Sequence, residues 1–280
     1  MSLIEQGNKY VITQTSTGIY SFKHLATNEI LHGQVGPWQE ANLLYVDHSG
    51  IKESQSDLFV VYDIGMGCGS QLFAMYEAFI KNNNIKKLCV VSFDLEKNGL
   101  LSLKENISYF PYLSDYTDLL NLLILNDKVM IHTADHRDFE WIFIKGDFSQ
   151  LIPEIFNSLP NADVVCYDFF SPAKHPHLWT YQLFAKLYIK SNLEVKLITY
   201  TSATAVRAAL LAAGFFVGFG PISGKKAKST IATKKKSNLT DPLPEVWKQT
   251  FTASCAKFSE KESEIDKNII ASKINQHTQW

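Results

Sequence analysis

The sequence predicts an α/β fold, a doubly wound and mostly parallel sheet covered by helices on both faces. From Leu58 onward, short continuous apolar runs alternate with helical stretches, which is typical of parallel strands buried on both sides. A glycine-rich turn follows the first of these runs directly. The 280 residues are 46% hydrophobic and 20% charged, which is ordinary for a globular chain and excludes a disordered or fibrous protein.

Six apolar runs predict the strands of the main sheet, in chain order at residues 58–62, 88–93, 141–144, 162–167, 195–200 and 214–219. A seventh strand, at 229–233 within a lysine-rich stretch, is expected at an edge of the sheet. Residues 103–138 interrupt the alternation with one helix, at 116–125, and a polar loop. We interpret them as an insertion between the second and third strands of a seven-stranded sheet.

The two ends of the chain predict smaller units. Residues 10–12 and 18–22 alternate like a hairpin, and the apolar run 43–46 is expected to add a strand to this small β extension. After Pro242 and Pro244 we expect a peripheral helix and a loose C-terminus. The chain is therefore divided into an N-terminal extension (1–50), a main domain (51–235) and a tail (236–280).

Charge is unevenly distributed although the net charge is −1. Residues 221–280 hold 11 Lys and 6 Asp+Glu, which is +5, and the remaining residues hold 16 Lys+Arg and 22 Asp+Glu, which is −6. Six lysines in a window without an acid can contact phosphates, namely those at 225, 226, 228, 234, 235 and 236. A merely solvated tail explains the same pattern equally well.

Cysteine and histidine spacing gives no sign of disulfides or a metal site. The cysteines at 68, 89, 166 and 255 form no CxxC pair, which indicates free thiols in a reducing compartment. His175 and His177 lack further ligands at metal spacing. No signal peptide is seen, and no apolar run approaches the roughly 20 residues that span a bilayer. We therefore expect a cytoplasmic protein without a metal or a membrane partner.

The turn after the first strand carries the first chemical signal. Asp63 precedes glycines at 65, 67 and 69, which allow a tight turn and a close approach of the backbone to a ligand. The spacing differs from GxGxxG and from the P-loop, and no lysine follows to hold a triphosphate. An acid before the glycines suits a cationic ligand, such as an ammonium or a sulfonium. A plain strand-to-helix turn is the alternative.

Aspartates end the next three strands. Asp94 can accept two hydrogen bonds from a ribose diol, with Glu96 as a nearby competitor and a helix N-cap as the structural alternative. Asp147 can accept from an adenine amino group or cap the following helix. Asp168 can hold an amine while Phe170 stacks on a planar base, unless the aromatics are core and the aspartate is a cap. Parallel strands end at one edge, so these acids are expected to meet there.

Four stretches together resemble class I S-adenosylmethionine-dependent methyltransferases, and more narrowly the methyltransferase half of the MnmC family. They are the turn 64–71, the strand end 92–94, the run 168–179 and the segment 200–226. The run DFFSPAKHPHLW is the most specific, because it is similar to the family's D-G-F-A-P-A-K-N-P-x-x-W. Three residues depart from the family pattern: Cys68 stands for threonine, Gln71 for asparagine and Phe169 for glycine.

The resemblance implies a Rossmann-like fold and methyl transfer from S-adenosyl-L-methionine to the exocyclic amine of 5-aminomethyl(2-thio)uridine at the tRNA wobble position. It implies that Asp168 is catalytic. The implied cofactor-binding residues are Asp63, Gly65, Gly67, Gly69, Asp94 and Asp147. The implied substrate-binding residues are Phe170, Lys174, Trp179, Arg207, Lys225 and Lys226.

The same resemblance also bears on partners and on alternative functions. The chain is too short for the family's flavin-dependent oxidase half, so we expect no FAD, tRNA as the substrate and a separate oxidoreductase for the preceding modification step. Aminopropyl transfer to a polyamine uses the same fold and remains open, although it would require acidic residues along a diamine channel. A degenerate fold that only binds RNA or a protein also remains open.

Overall fold

A computed structural model describes residues 9–151, 153–223 and 227–280. Within these ranges the strands are β1 (Tyr10–Gln14), β2 (Tyr20–His24), β3 (Glu29–Ile30), β4 (Leu58–Ile64), β5 (Lys87–Asp94), β6 (Lys128–His132), β7 (Asp138–Lys145), β8 (Ala162–Tyr167), β9 (Ser191–Thr199), β10 (Phe216–Phe219) and β11 (Thr230–Thr233). The helices are α1 (Pro37–Ala41), α2 (Asp47–Ser49), α3 (Ser70–Lys81), α4 (Asn98–Glu105), α5 (Thr117–Leu125), α6 (Pro153–Ser158), α7 (Tyr181–Ile189), α8 (Thr204–Ala213), α9 (Trp247–Ala253) and α10 (Glu264–Asn275).

The predicted fold class is confirmed, with a main sheet in the order β10-β11-β9-β8-β4-β5-β7-β6. The strands β9, β8, β4, β5 and β7 run parallel to their neighbours in this central block. A separate antiparallel sheet of β1, β2 and β3 forms the N-terminal extension. The chain enters the main sheet at β4 and extends it to one side through β5 and to the other through β8. A crevice for a ligand therefore opens beyond the ends of β4 and β8.

Helices cover both faces of the main sheet, as the continuous apolar strands require. One core contains Val61 and Val90 from the strands, packed under α3, α4 and α5. The other contains Val60 and Val91, packed under α7 and α8, with α9 and α10 adding an outer layer. Alternate residues of β4 and β5 thus face opposite cores, which explains why these strands are apolar without interruption.

Three predictions about single elements are wrong. The apolar run 43–46 is helical, because it continues α1 through a π-helical turn (Asn42–Val46) and packs Leu44 and Tyr45 into the core. The region 103–138 contributes a strand, β6, which pairs antiparallel with β7 and gives the described sheet eight strands rather than seven. The strand at 230–233 does not lie at an edge, because β11 is paired with β10 on one side and β9 on the other.

The C-terminus is also more firmly attached than expected. Helix α10 buries Ile270 and Ile274 against α8. The buried Gln279 side chain donates to the carbonyl groups of Val217 and Leu243, so that it ties the end of the chain to β10. Within the described ranges, no helix has both the length and the apolar character that crossing a bilayer needs.

Candidate active site

A cleft of about 430 Å³ lies at the carboxyl ends of β4, β5, β7 and β8. This volume is within the range of roughly 300–1,000 Å³ that small-molecule sites occupy. The strand ends supply one wall, and the N-terminal extension supplies the other through residues that include Tyr10, His24 and Glu29. The sequence predicted the first wall and did not predict that the N-terminal extension supplies the second.

The glycine turn forms the floor of the cleft, and its first glycine is required by space as well as by backbone angle. Gly65 has a φ of 84°, and a Cβ atom on it would lie 2.9 Å from the carbonyl oxygen of Asp168. Gly67 also lines the cleft, whereas Gly69 is the N-cap residue of α3 and does not line it. Gly99 was not predicted: a Cβ atom there would lie 1.9 Å from the Gly67 carbonyl oxygen, so the turn packs directly on α4.

Asp94 joins the turn to the neighbouring strand. Its Oδ2 accepts from the backbone N–H of Gly67 at 2.9 Å, and its Oδ1 accepts from that of Leu95 at 2.7 Å. Burial raises the pKa of this carboxyl to about 6, and the two backbone donors oppose that rise. Asp94 lines the cleft, as does Glu96, which forms an ion pair with Lys9 of the N-terminal extension.

Asp63 and Asp147 differ in whether they reach the cleft. Asp63 is fully buried beneath the turn, accepts from Ser92 Oγ at 2.8 Å and does not line the cleft. Burial raises the pKa of Asp63 to about 7. Asp147 does line the cleft and also caps a short helical turn by accepting from the Ser149 N–H at 2.8 Å. The two sequence interpretations of Asp147 are therefore compatible, whereas the buried position of Asp63 places it outside the cleft that the sequence assigned it to.

Asp168 lies at the end of β8, beside the glycine turn, and lines the cleft. Its Oδ2 accepts from Nε2 of Gln71, the second residue of α3. The buried Tyr45 hydroxyl lies beside the same carboxylate: burial raises the pKa of Tyr45 and the charge of Asp168 raises it further. The Tyr200 hydroxyl donates to the Phe169 carbonyl at 3.0 Å and closes this end of the cleft.

Two further carboxylates, which sequence reasoning did not assign to the site, face the same end of the cleft. Glu29 accepts from Ser171 Oγ at 2.8 Å, and Glu40 accepts from the backbone N–H of Gly33. Burial raises the pKa of Tyr200, and the charges of Asp168, Glu29 and Glu40 raise it further, in that order. This end of the cleft, which we call the acceptor end from here on because Asp168, Glu29 and Glu40 can accept hydrogen bonds there, is therefore acidic and suits a cationic group.

The three predicted residues of the loop after Asp168 have different environments. Phe170 lines the cleft, with its ring centroid 4.7 Å from that of His24 and 5.4 Å from that of His175. Lys174 is directed at the N-terminal extension, where its Nζ donates to the Thr27 carbonyl. Trp179 is fully buried and donates from Nε1 to the Phe170 carbonyl at 3.0 Å, so it supports the loop from below instead of lining the cleft.

Arg207 does not present its guanidinium to solvent. The side chain is only 7% exposed, packs over the ring of Phe219, and donates to Thr230 Oγ1 at 3.0 Å and to the Lys228 carbonyl at 2.9 Å. Burial lowers the pKa of Arg207 to about 10. Arg207 therefore links α8 to the start of β11 by hydrogen bonds. The predicted Lys225 and Lys226 fall outside the described residues.

Four lysines of the basic stretch are described: Lys228 precedes β11 and forms an ion pair with Asp241, whereas those at 234, 235 and 236 lie away from the cleft. Strand β11 runs antiparallel to β9, with Thr230 opposite Thr199 and Thr233 opposite Lys196. The chain therefore leaves β11 at the edge of the sheet opposite the carboxyl ends. There the three lysine ammonium groups are engaged within the protein: Lys234 with the Ser191 carbonyl, Lys235 with Glu194, and Lys236 with the Gln279 carbonyl.

Comparison with known proteins agrees with this geometry. A family model described as S-adenosyl-L-methionine-dependent methyltransferase matches residues 120–235. The tRNA 5-methylaminomethyl-2-thiouridine biosynthesis bifunctional protein MnmC of Campylobacter concisus is 27% identical over 211 residues, which cover 73% of this chain and 33% of that protein. The Pseudomonas putida protein of the same name is 30% identical over 172 residues, covering 60% and 26%. The chain thus spans a quarter to a third of the length of these relatives.

Two further matches extend over most of the chain. An uncharacterized protein of Methanocaldococcus jannaschii is 25% identical over 265 residues, which cover 89% of this chain and 67% of that one. The crystal structure of MNMC2 from Aquifex aeolicus superposes with a TM-score of 0.71 at 22% identity, covering 97% of this chain and 85% of that one, and shows the same fold. With its glycine turn and strand-end acids on one cleft, the chain is similar to the S-adenosyl-L-methionine-dependent methyltransferases, and among them to proteins of the MnmC type.

Proposed function

We propose that this protein methylates the exocyclic amine of 5-aminomethyl(2-thio)uridine at the wobble position of tRNA. One observation carries the proposal: Asp168 faces the same cleft as the glycine turn and Asp94, at an end of that cleft that is acidic. A donor site and a site for a cationic acceptor are thereby adjacent. The names of the Campylobacter and Pseudomonas relatives supply the specific nucleoside.

The residues at the strand ends fit S-adenosyl-L-methionine, which supplies an electrophilic methyl group when bound. The positive φ of Gly65 and Gly67 leaves a floor without side chains, against which the methionine part can lie. Asp94 holds two backbone donors at its oxygens and still faces the cleft, so that it can accept from the ribose hydroxyls. Asp147 is assigned to the adenine end.

Asp168 is assigned two tasks toward the acceptor. An alkyl amine has a pKa well above 7 and reaches the site as an ammonium, which the acidic end of the cleft attracts. The nitrogen must lose a proton before its lone pair can attack, and the Asp168 carboxylate is the group placed to accept that proton. It then holds the amine by a hydrogen bond in one orientation, so that proximity supplies much of the acceleration. Phe170 is assigned to pack on the uracil.

The tRNA partner makes a cytoplasmic location part of this proposal, together with a separate oxidoreductase that generates the free aminomethyl group. Phosphate contacts are assigned to lysines on the cleft side of the sheet, such as Lys145 at the end of β7, which is exposed. Lysines 234–236 are not included, because their ammonium groups are occupied on the opposite edge.

A second candidate is methylation of a small cationic amine. The acidic lining by Glu29, Glu40 and Asp168 favours it, since this is the kind of wall that a polyamine would need. The family match favours the methyl group over an aminopropyl group as the one transferred.

The deciding experiment incubates the purified protein with S-adenosyl-L-methionine and tRNA isolated from a strain deleted for the gene. Mass spectrometry of the digested nucleosides is expected to show 5-aminomethyl nucleosides gaining one methyl group. A parallel reaction offers putrescine and spermidine as acceptors. Methylation of the polyamines with unchanged tRNA would replace the tRNA proposal by the small-amine one.

A further inference from the structure

Two buried side chains from different elements converge on the Asp168 carboxylate without lining the cleft. Gln71 is 3% exposed at the start of α3, and Tyr45 is 1% exposed in the π-helical turn after α1. We propose that Gln71 and Tyr45 are positioning residues that keep the Asp168 carboxylate ionised and fixed in one orientation. This inference rests on the proposed function, in which Asp168 accepts the proton of the amine.

The hydrogen-bonding chemistry gives each side chain a single sensible partner. A carboxylate only accepts, so the Gln71 amide must present its NH₂ group to Oδ2 of Asp168. The buried Tyr45 hydroxyl meets no acceptor at hydrogen-bond geometry among the described residues, and the Asp168 carboxylate is the charge that most raises the pKa of Tyr45 after burial. Because a buried donor without an acceptor is costly, both groups favour an ionised Asp168.

The surroundings of Asp168 explain why such support is needed. The titratable groups that face it as neutral species are Tyr200 and Cys166, since burial raises the pKa of each. Glu29 and Glu40 share the cleft end with it and, as like charges, favour its protonated form. The donors on Gln71 and Tyr45 oppose that effect, so that a base surrounded by acids stays available near neutral pH.

The glutamine at position 71, which departs from the family pattern, is explained by its contact with Asp168. The family places an asparagine where this chain has Gln71. The longer glutamine side chain spans from α3 to the end of β8 and reaches the carboxylate directly. The sequence marks position 71 only as a departure from the family pattern, whereas the geometry links it to Asp168.

The test measures the Asp168 carboxyl itself, so it does not depend on knowing the acceptor. Full-length protein carrying ¹³C at aspartate side-chain carboxyls is titrated by NMR, with the Asp168 resonance identified as the one missing in Asp168→Asn. Gln71→Met removes the amide donor at nearly constant volume, and Tyr45→Phe removes only the hydroxyl. The matched controls are Gln279→Met and Tyr62→Phe, which delete the same groups at buried sites remote from Asp168.

Each test variant is expected to raise the pKa of Asp168 by about one unit, as loss of a hydrogen bond to a charged group implies. The controls should leave that pKa unchanged, even where they lower thermal stability. In turnover assays at saturating tRNA, the acid limb of kcat should move to higher pH by the same amount in the test variants. The KM for S-adenosyl-L-methionine should stay within about twofold of the parent value. Gln71→Asn, which keeps an amide donor, should show a smaller rise in the pKa of Asp168 than Gln71→Met.

A pKa of Asp168 that is the same in the parent, Gln71→Met and Tyr45→Phe would overturn the inference. It would equally fail if the controls produced the same shift, because the effect would then come from general loosening. If the parent methylates no tRNA but the shift appears, the positioning role stands and only the acceptor proposal falls. The two variants lie in separate elements, so a folding defect in one leaves the other to decide.

Discussion

Replacing Asp94 by alanine should weaken the binding of S-adenosyl-L-methionine at least tenfold at pH 7.5. The proposal gives this carboxylate two hydrogen bonds to the ribose hydroxyls, each worth roughly 1.5–3 kcal/mol because the acceptor is charged. Either bond alone exceeds the 1.4 kcal/mol or so that a tenfold change requires. Alanine also removes the acceptor that holds the Gly67 N–H at 2.9 Å, which frees the turn itself.

Asparagine at the same position separates these two effects. Its amide oxygen can still accept from Gly67, so the turn should remain in place, but the charge is lost. Asp94→Asn should therefore bind more tightly than Asp94→Ala and more weakly than the parent. Isothermal titration calorimetry with S-adenosylhomocysteine measures all three affinities, and Glu96→Gln is the matched control because Glu96 lines the same cleft.

The pH dependence gives an independent check. Burial raises the pKa of Asp94 to about 6, and the ribose contacts need the ionised form. Affinity of the parent should accordingly fall as pH drops through 6, by about tenfold per unit further below. Asp94→Asn should lack this dependence. Unchanged affinity in Asp94→Ala, or a loss that appears in Glu96→Gln instead, would refute the ribose assignment.

Asp168→Asn should bind the cofactor like the parent and lose turnover by roughly 10²–10⁴-fold, and turnover within threefold of the parent would mean that Asp168 is only structural. Burial raises the pKa of Asp63 to about 7, so the neutral carboxyl stabilises the cofactor-free fold at low pH. This contribution to the free energy of unfolding is lost as pH rises through 7. Thermal melts of Asp63→Asn should not show that loss of stability. Changing lysines 234–236 to glutamine should leave the salt dependence of tRNA affinity unchanged, while Lys145→Gln should reduce its slope by about 0.7–0.9 in a filter-binding series. A flatter slope only in the triple variant would place tRNA on the opposite edge of the sheet.

The parts of the fold that were predictable from the sequence are those that local pattern determines. Strands buried on both faces have to be almost continuously apolar, so β4, β5 and β8 could each be predicted from the sequence, as could the apolar second half of β9. The glycine turn was readable because positive φ at Gly65 and contact with the next loop exclude a side chain. Asp94 and Asp168 followed from the rule that parallel strands end at one edge.

The parts that were not predictable depend on contacts between distant residues. Ser171 donates to Glu29 across 142 positions of sequence, and Lys174 donates to Thr27 across 147. No local sequence pattern therefore predicts that the extension closes the cleft. The run 43–46 is as apolar as a strand, but its position against α3 makes it helical. Strand β6 is short, with a mixture of buried and exposed residues that a polar loop also shows.

The distribution of charge was the feature that the sequence predicted least well, because composition counts lysines without giving the position of their side chains in the fold. The basic stretch is divided by β11, whose direction sends lysines 234–236 to the edge opposite the cleft. The acids of the extension, counted only as part of a negative body, instead converge on the acceptor end. Under the proposed function, electrostatic selection at the reacting centre concerns the cationic amine, and attraction for the tRNA backbone comes from the cleft-side rim. The proposal meets both requirements in one molecule because it assigns the amine to the acids inside the cleft and the phosphates to exposed lysines such as Lys145 at the end of β7.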